Sequence, residues 1–240
     1  LGPGDGVARL LPACAGVLIV MLPLLWRKTL GEIGALAAAT LILVSPLTLF
    51  ASRRVDGATF GTLGAGLLLS LLLQIAGDEP SAGRLRSTML AAGVALGAIG
   101  GPVFFDLLIP GLVLWASLHW ISSRRPAPVP WRPVLVGAAV ALLISIAFGL
   151  RWDGWAGLAD GLATWLAGWR INSDAPSVVG LLALYEPLLL LIGLAGLILQ
   201  LRKPRTLTLT DWMIMGWPLL TLILCVLRPG SMPTSLSAVV

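Results

Sequence analysis

Of the 240 residues in the chain, 58% are hydrophobic and 11% are charged, with a mean hydropathy of +0.96 and a net charge of +5. Soluble domains are about 45–50% apolar and about 25% charged, so this chain cannot cover itself against water, and a soluble enzyme, a nucleic-acid binder and a disordered tail are excluded together. The basic residues sit in short stretches between apolar runs, the pattern of a polytopic membrane protein with no nucleic-acid partner.

A helix that crosses the hydrocarbon layer needs about 20 apolar residues. In chain order, the stretches that meet or approach this length are 10–26, 33–52, 57–76, 88–100, 103–122, 133–150, 177–201 and 211–228. The runs are continuous, not alternating, and rich in Leu, Ala and Gly, so they predict helices rather than strands. The expected fold is all-α, a transmembrane bundle of about eight spans. Run 88–100 is short and stops at Gly100-Gly101-Pro102, which makes 88–122 a tight helical hairpin with its turn at those three residues.

The basic residues arbitrate between that hairpin and a single kinked span. With residue 1 outside and eight spans, the inner loops hold Arg27, Lys28, Arg84, Arg86, Arg124, Arg125, Arg132, Arg202, Lys203 and Arg205, and the outer side holds Arg9, Arg53, Arg54, Arg151, Arg170 and Arg228. A single span over 88–122 would shift this balance from 10 inside and 6 outside to 7 and 9, against the positive-inside rule. Trp26, Trp120, Trp131, Trp152 and Trp212 fall at run ends, where interface anchors are expected. Cys14 and Cys225 lie inside apolar runs and read as buried small hydrophobes, with no disulfide framework. His119, the single histidine, has no ligand-spaced partners and reads as an interfacial residue.

One outer segment, 151–176, is longer than a turn. Trp155, Leu158, Leu162, Trp165, Leu166 and Trp169 share one helical face, with Asp160 and Thr164 off it. This predicts an amphipathic helix lying in the outer interface, either resting on lipid or forming a floor for a lipid-linked substrate. The chain opens at Leu1 without a methionine or a cleavable leader and stops at Val240 just after a run. The expectation is a single membrane domain over 1–240, an internal piece of a longer protein.

Charges near a bilayer are costly, by about 2.5–3.5 kcal/mol at a helix centre on the insertion scale, so their positions carry information. The cluster Ser52-Arg53-Arg54-Val55-Asp56 stands at the outer junction of the second and third runs. Two guanidiniums beside a carboxylate can hold a phosphate while the acid handles a hydroxyl or a metal. Alternatively, the arginines are anchors and Asp56 caps the next helix. Tyr185-Glu186-Pro187 lies inside run 177–201, and Glu186 is expected to face the bundle interior. Asp106 follows the Gly-Gly-Pro turn, as a helix-end residue or as part of an outward cavity. No Walker loop, HExxH or Ser/His/Asp arrangement is present, and no 20–50-residue repeat.

These residues bring a family into view. Leu1-Gly2-Pro3 through Ala8-Arg9-Leu10-Leu11-Pro12-Ala13, followed by an apolar run and Arg27-Lys28-Thr29-Leu30-Gly31, resembles the second span of GT-C superfamily membrane glycosyltransferases, more narrowly the protein-mannosyltransferase-like branch (family 39). Ser45-Pro46 and Ser52-Arg53-Arg54-Val55-Asp56 resemble the third-to-fourth span junction of that branch. Tyr185-Glu186-Pro187-Leu188, with Gly193-Leu194-Ala195-Gly196, is similar to the family associated with flippase activity in archaeal N-glycosylation. The likeness runs over most of the chain as hydropathy and short motifs.

The resemblance implies transfer of a sugar from a polyprenyl-phosphate carrier to a hydroxyl acceptor on the extracytoplasmic face of the plasma (inner) membrane. It points to protein glycosylation or cell-envelope assembly. By position Asp56 matches the family's second acid, and Arg53, with Arg54 in reserve, falls to the carrier phosphate. Asp106, Tyr185 and Glu186 complete the expected substrate site, and a divalent metal is left open. The family's first acidic loop would lie upstream of Leu1, and Asp5 does not match its motif. The partners implied are a lipid-linked sugar donor and membrane lipid. A transporter or flippase of lipid-linked sugars is the alternative, and on the resemblance Arg53, Asp56, Asp106 and the interfacial helix converge on one outward cavity.

Overall fold

The computed structural model describes residues 3–53, 57–76, 83–121, 131–146, 154–168, 184, 186–202 and 208–227. Every element among them is helical: α1 (Pro3–Met21), a 3-10 turn (Leu22–Trp26), α2 (Arg27–Val44), α3 (Pro46–Arg53), α4 (Ala58–Ala76), α5 (Gly83–Ile99), α6 (Pro102–Ile121), α7 (Trp131–Ser145), α8 (Gly154–Ala167), α9 (Pro187–Arg202) and α10 (Leu209–Leu227). The all-α expectation holds. Among the described residues three stretches are long and apolar enough to cross a membrane: Arg9–Val44, Ala58–Ala76 and Pro102–Ile121, the first of which runs from within α1 through the 3-10 turn to the end of α2.

Local chemistry sets most of the helix starts. Pro46, Pro102 and Pro187 each occupy a first helical position, where the missing N–H costs nothing. Thr208 and Asp211 cap α10 reciprocally: Thr208 N–H donates to Asp211 Oδ2 at 2.9 Å, and Asp211 N–H donates to Thr208 Oγ1 at 3.2 Å. Run 33–52 is not one span. Its helix ends at Val44, Ser45 turns extended (φ −63°, ψ 120°), and α3 begins at Pro46. Ser45 caps that restart, its Oγ accepting from Thr48 N–H at 3.2 Å. In run 177–201 the described helix α9 begins at Pro187.

The expected hairpin at Gly100-Gly101-Pro102 is present, with Gly101 at φ 70° making the turn between α5 and α6. α4 is the hub on which both arms pack. Gly57, Gly61 and Gly64 of the α4 side face Gly100, Gly97 and Gly93, so the two backbones touch and α5 runs antiparallel to α4. Such small-residue spacing lets helices approach without side chains between them. α6 runs back parallel to α4, with Phe104 near Gly61 and Gly97, and Gly111 on Leu69. α1 is also parallel to α4, since Gly16 meets Ser52 while Leu22 meets Gly66 and Trp26 Nε1 donates to Ser70 Oγ at 2.8 Å. Gly137 against Ala91 and Val94 sets α7 parallel to α5, and Gly216 on Leu114 sets α10 antiparallel to α6. Pro110 leaves α6 one N–H short, and close by Trp217 Nε1 donates to the Leu107 carbonyl at 2.9 Å.

These directions give the bundle two ends. One carries the Gly100-Gly101 turn, the α3–α4 junction and α8. The other carries the start of α2, α5, α7 and α10. Arg27, Lys28, Arg84, Arg86 and Arg132 stand at the second end, whereas Arg9 and Arg53 belong to the first. Large apolar side chains cover the outside, among them Ile33, Leu36, Leu135, Leu191 and Ile223, a surface suited to acyl chains.

Three residues depart from expectation. Cys14 is exposed on that apolar surface and not buried, because Ala15, Ile19 and Leu22 turn the packed face of α1 toward α4. Trp26 packs inward against the cluster of Leu73, Ala76 and Met213 on α4 and α10 as well as bonding Ser70, instead of anchoring at the interface. His119 is buried with its ring 4.4 Å from that of Trp115 and does not face the head groups. Trp120, Trp131 and Trp212 do stay exposed at the basic end, as anchors would. The side chain of Cys225, and all of Trp152, lie outside what is described.

Gln74 is the awkward group in this core. It is buried, its Nε2 reaches only Met89 Sδ at 4.0 Å, and its Oε1 has no partner. An unsatisfied buried acceptor costs about 1–3 kcal/mol. Gln74→Met is therefore expected to raise the melting temperature of the detergent-solubilised protein by a few degrees. A lowered melting temperature would mean that the amide has a role this packing does not contain.

Candidate functional site

Two carboxylates are held in place at the glycine-turn end. Asp106 lies in the second turn of α6. Its Oδ1 accepts from Trp165 Nε1 of α8 at 2.9 Å, a charge-assisted bond in a half-buried setting. The Trp165 ring is buried, 6.1 Å from that of Phe105. One turn earlier, Gly161 sits directly on Gly101 of the α5–α6 turn. Gly161 and Trp165, four residues apart, thus form the face by which α8 seats on the bundle.

This partly bears out the segment expected over 151–176. A helix is present over Gly154–Ala167, with Asp160 and Thr164 exposed as expected. The expected stripe divides, however. Trp165 turns into the bundle, while Leu162 and Leu166 stay exposed. The side chains of Trp155 and Leu158, and all of Trp169, lie outside the description.

Glu186 is the second carboxylate. It stands immediately before Pro187, at the N-cap of α9. Its Oε1 accepts from Ser45 Oγ, and Glu186 is only 7% exposed. Ser45 in turn accepts from Thr48 N–H. One hydroxyl therefore caps α3 and ties it to the start of α9. The sequence marked Glu186 as inward-facing, and it is buried; what the sequence did not provide was Ser45 as its partner, 141 residues away.

Of the other expected site residues, Arg53 ends α3 and is exposed at the same end as Asp106 and Glu186. Arg54, Asp56 and Tyr185 lie outside the described residues, so the expected convergence of Asp56 with Asp106 is not part of this geometry. Among the described residues, no group of three His, Cys, Asp or Glu side chains gathers as a metal site. What the arrangement offers chemically is a rim with two positioned carboxylates, a guanidinium, and a short helix bonded to one of the acids. No protein-family model, no curated protein and no solved structure matches the chain.

Proposed function

We propose that the chain is a multi-pass integral membrane glycosyltransferase of the plasma membrane, moving a sugar from a polyprenyl-phosphate carrier to a hydroxyl acceptor on the extracytoplasmic side. The observation that carries this reading is the polarity of the bundle. Arg27, Lys28, Arg84, Arg86 and Arg132 stand at one end, and of the described cations only Arg9 and Arg53 join Asp106, Asp160 and Glu186 at the other. By the positive-inside rule the end richer in Lys and Arg faces inward, which turns Asp106 and Glu186 to the side on which such carriers present their sugars. The short helix α8 lies at that end, bonded through Trp165 to Asp106, and supplies a surface along which a prenyl chain can rest.

In this reading the acceptor oxygen attacks the anomeric carbon, and the bond from that carbon to the carrier phosphate oxygen breaks with its electron pair going to the phosphate. Arg53, with Arg54 beside it in sequence, neutralises the departing phosphate, and Asp56 takes the acceptor proton. Asp106 and Glu186 position the walls of the site through Trp165 and Ser45.

The test is Asp56→Asn in the protein as it occurs in membranes, assayed for transfer from a radiolabelled polyprenyl-phosphate hexose. Loss of a general base lowers the rate by about 10²–10⁴-fold. Unchanged transfer by a protein expressed at the parent level would overturn the assignment. Unchanged transfer with abolished translocation of the glycolipid would replace it by a flippase.

A further inference from the structure

At the basic end, an open groove of about 460 Å3 runs between the first turns of α5 and α7. Ser87 and Thr88 of α5 and Trp131 and Arg132 of α7 line its mouth, while Ala91 and Val136 line it one turn deeper. Because α5 and α7 run parallel, both helices begin here, and neither has an acidic residue in its first turn. The Arg132 guanidinium carbon sits 5.7 Å from the Trp131 ring centroid, and Trp131 itself is exposed. Arg84 stands three and four residues before Ser87 and Thr88, which puts it on the same helical face. Below the mouth, Leu135 and Val136 are exposed on the apolar outside of α7.

We propose that this groove binds the phosphodiester head group of an anionic membrane phospholipid. The Arg132 guanidinium at its mouth, with Arg84 on the same face of α5, matches a phosphate; Ser87 adds a hydroxyl, and the oriented N–H groups of two helix starts add to the attraction. The groove passes directly from polar mouth to apolar side, so a ligand with a head group and acyl chains fits it along its length, whereas a free phosphate would leave the deeper half unfilled. Trp131 marks the depth, since indoles settle at the head-group level. The site lies at the opposite end from Asp106 and Glu186 and depends only on the chain sitting in a bilayer, not on its chemistry.

The experiment uses the full chain in nanodiscs of phosphatidylcholine alone or mixed with phosphatidylglycerol, followed by native mass spectrometry of the lipid retained on extraction. Phosphatidylglycerol is expected to be retained several-fold over phosphatidylcholine. Arg132→Gln is expected to lower that retention several-fold, and so is Val136→Trp, which fills the groove without touching a charge. Arg9→Gln, at the other end, leaves it unchanged. Circular dichroism confirms that each variant keeps its helices. Equal retention of the two lipids, or undiminished retention by Arg132→Gln, overturns the proposal. A loss with Arg132→Gln but not with Val136→Trp moves the lipid out of the groove, and displacement by excess inorganic phosphate makes the ligand a free anion; either outcome also overturns it.

Discussion

Gly64→Ala is expected to destabilise the protein by about 3 kcal/mol or more, at the upper end of what overpacking costs. A Cβ added at Gly64 would lie 2.5 Å from Gly97 N and 2.8 Å from Gly93 O. These are backbone atoms of a helix that is itself wedged between α4 and α7, so no rotamer change can relieve the clash. α4 and α5 would have to part, and Leu68, Phe104 and Leu90, which pack around that seam, would lose their fit. The same substitution at Gly193 or Gly196 of α9 has the opposite sign, because nothing stands within 4 Å of either position. There an alanine gains about 0.5–1 kcal/mol of helix propensity. Denaturant titration in mixed micelles reads both effects in one protein. Gly64→Ala unfolding at the parent midpoint would remove the direct backbone contact on which this fold description rests.

Ser45→Ala is the second large effect, expected to cost about 2–4 kcal/mol: about 1 kcal/mol for the lost cap of α3 and the remainder for a carboxylate left buried with one donor fewer. Glu186→Gln should cost less, since a carboxamide oxygen still accepts from Ser45 Oγ. Glu186→Ala removes the acceptor altogether. The two sites belong to segments 141 residues apart, so a double-mutant cycle of Ser45→Ala with Glu186→Ala isolates the link, with a coupling of about 1–3 kcal/mol. Additive costs would mean that Ser45 acts on α3 alone.

The parts of the fold that could be read from the sequence are those decided locally or by charge counting. The Gly-Gly-Pro turn announces itself through a residue that tolerates positive φ followed by one that begins a helix, and Gly101 and Pro102 do just that. Counting cations across loops favoured the hairpin, and Arg84, Arg86 and Arg132 indeed share one end. Hydropathy, in contrast, is blind to breaks that cost an apolar chain nothing. Ser45-Pro46 splits run 33–52, although Ser followed by Pro is a helix-start signature in its own right. Thr208 with Asp211 was equally readable as a capping box. The glycine seam was visible as spacing at 57, 61 and 64 and at 93, 97 and 100, but spacing alone does not say which two helices pair. The site was legible in its residue types and not in its partners. Indole and hydroxyl donors to Asp106 and Glu186 come from 59 and 141 residues away, and no window along the chain contains both members of either pair.

The fastening of α9 has a mechanical consequence. Its described side chains are mostly exposed, and the Glu186 carboxylate at its N-cap ties it to Ser45 at the start of α3. A rod pinned at one tip pivots about the pin, and its far tip, at Arg202, sweeps the widest arc. Slackening that joint would free the upper end of α9 from α3, so the strength of one hydroxyl–carboxylate bond governs how firmly the two helices move together.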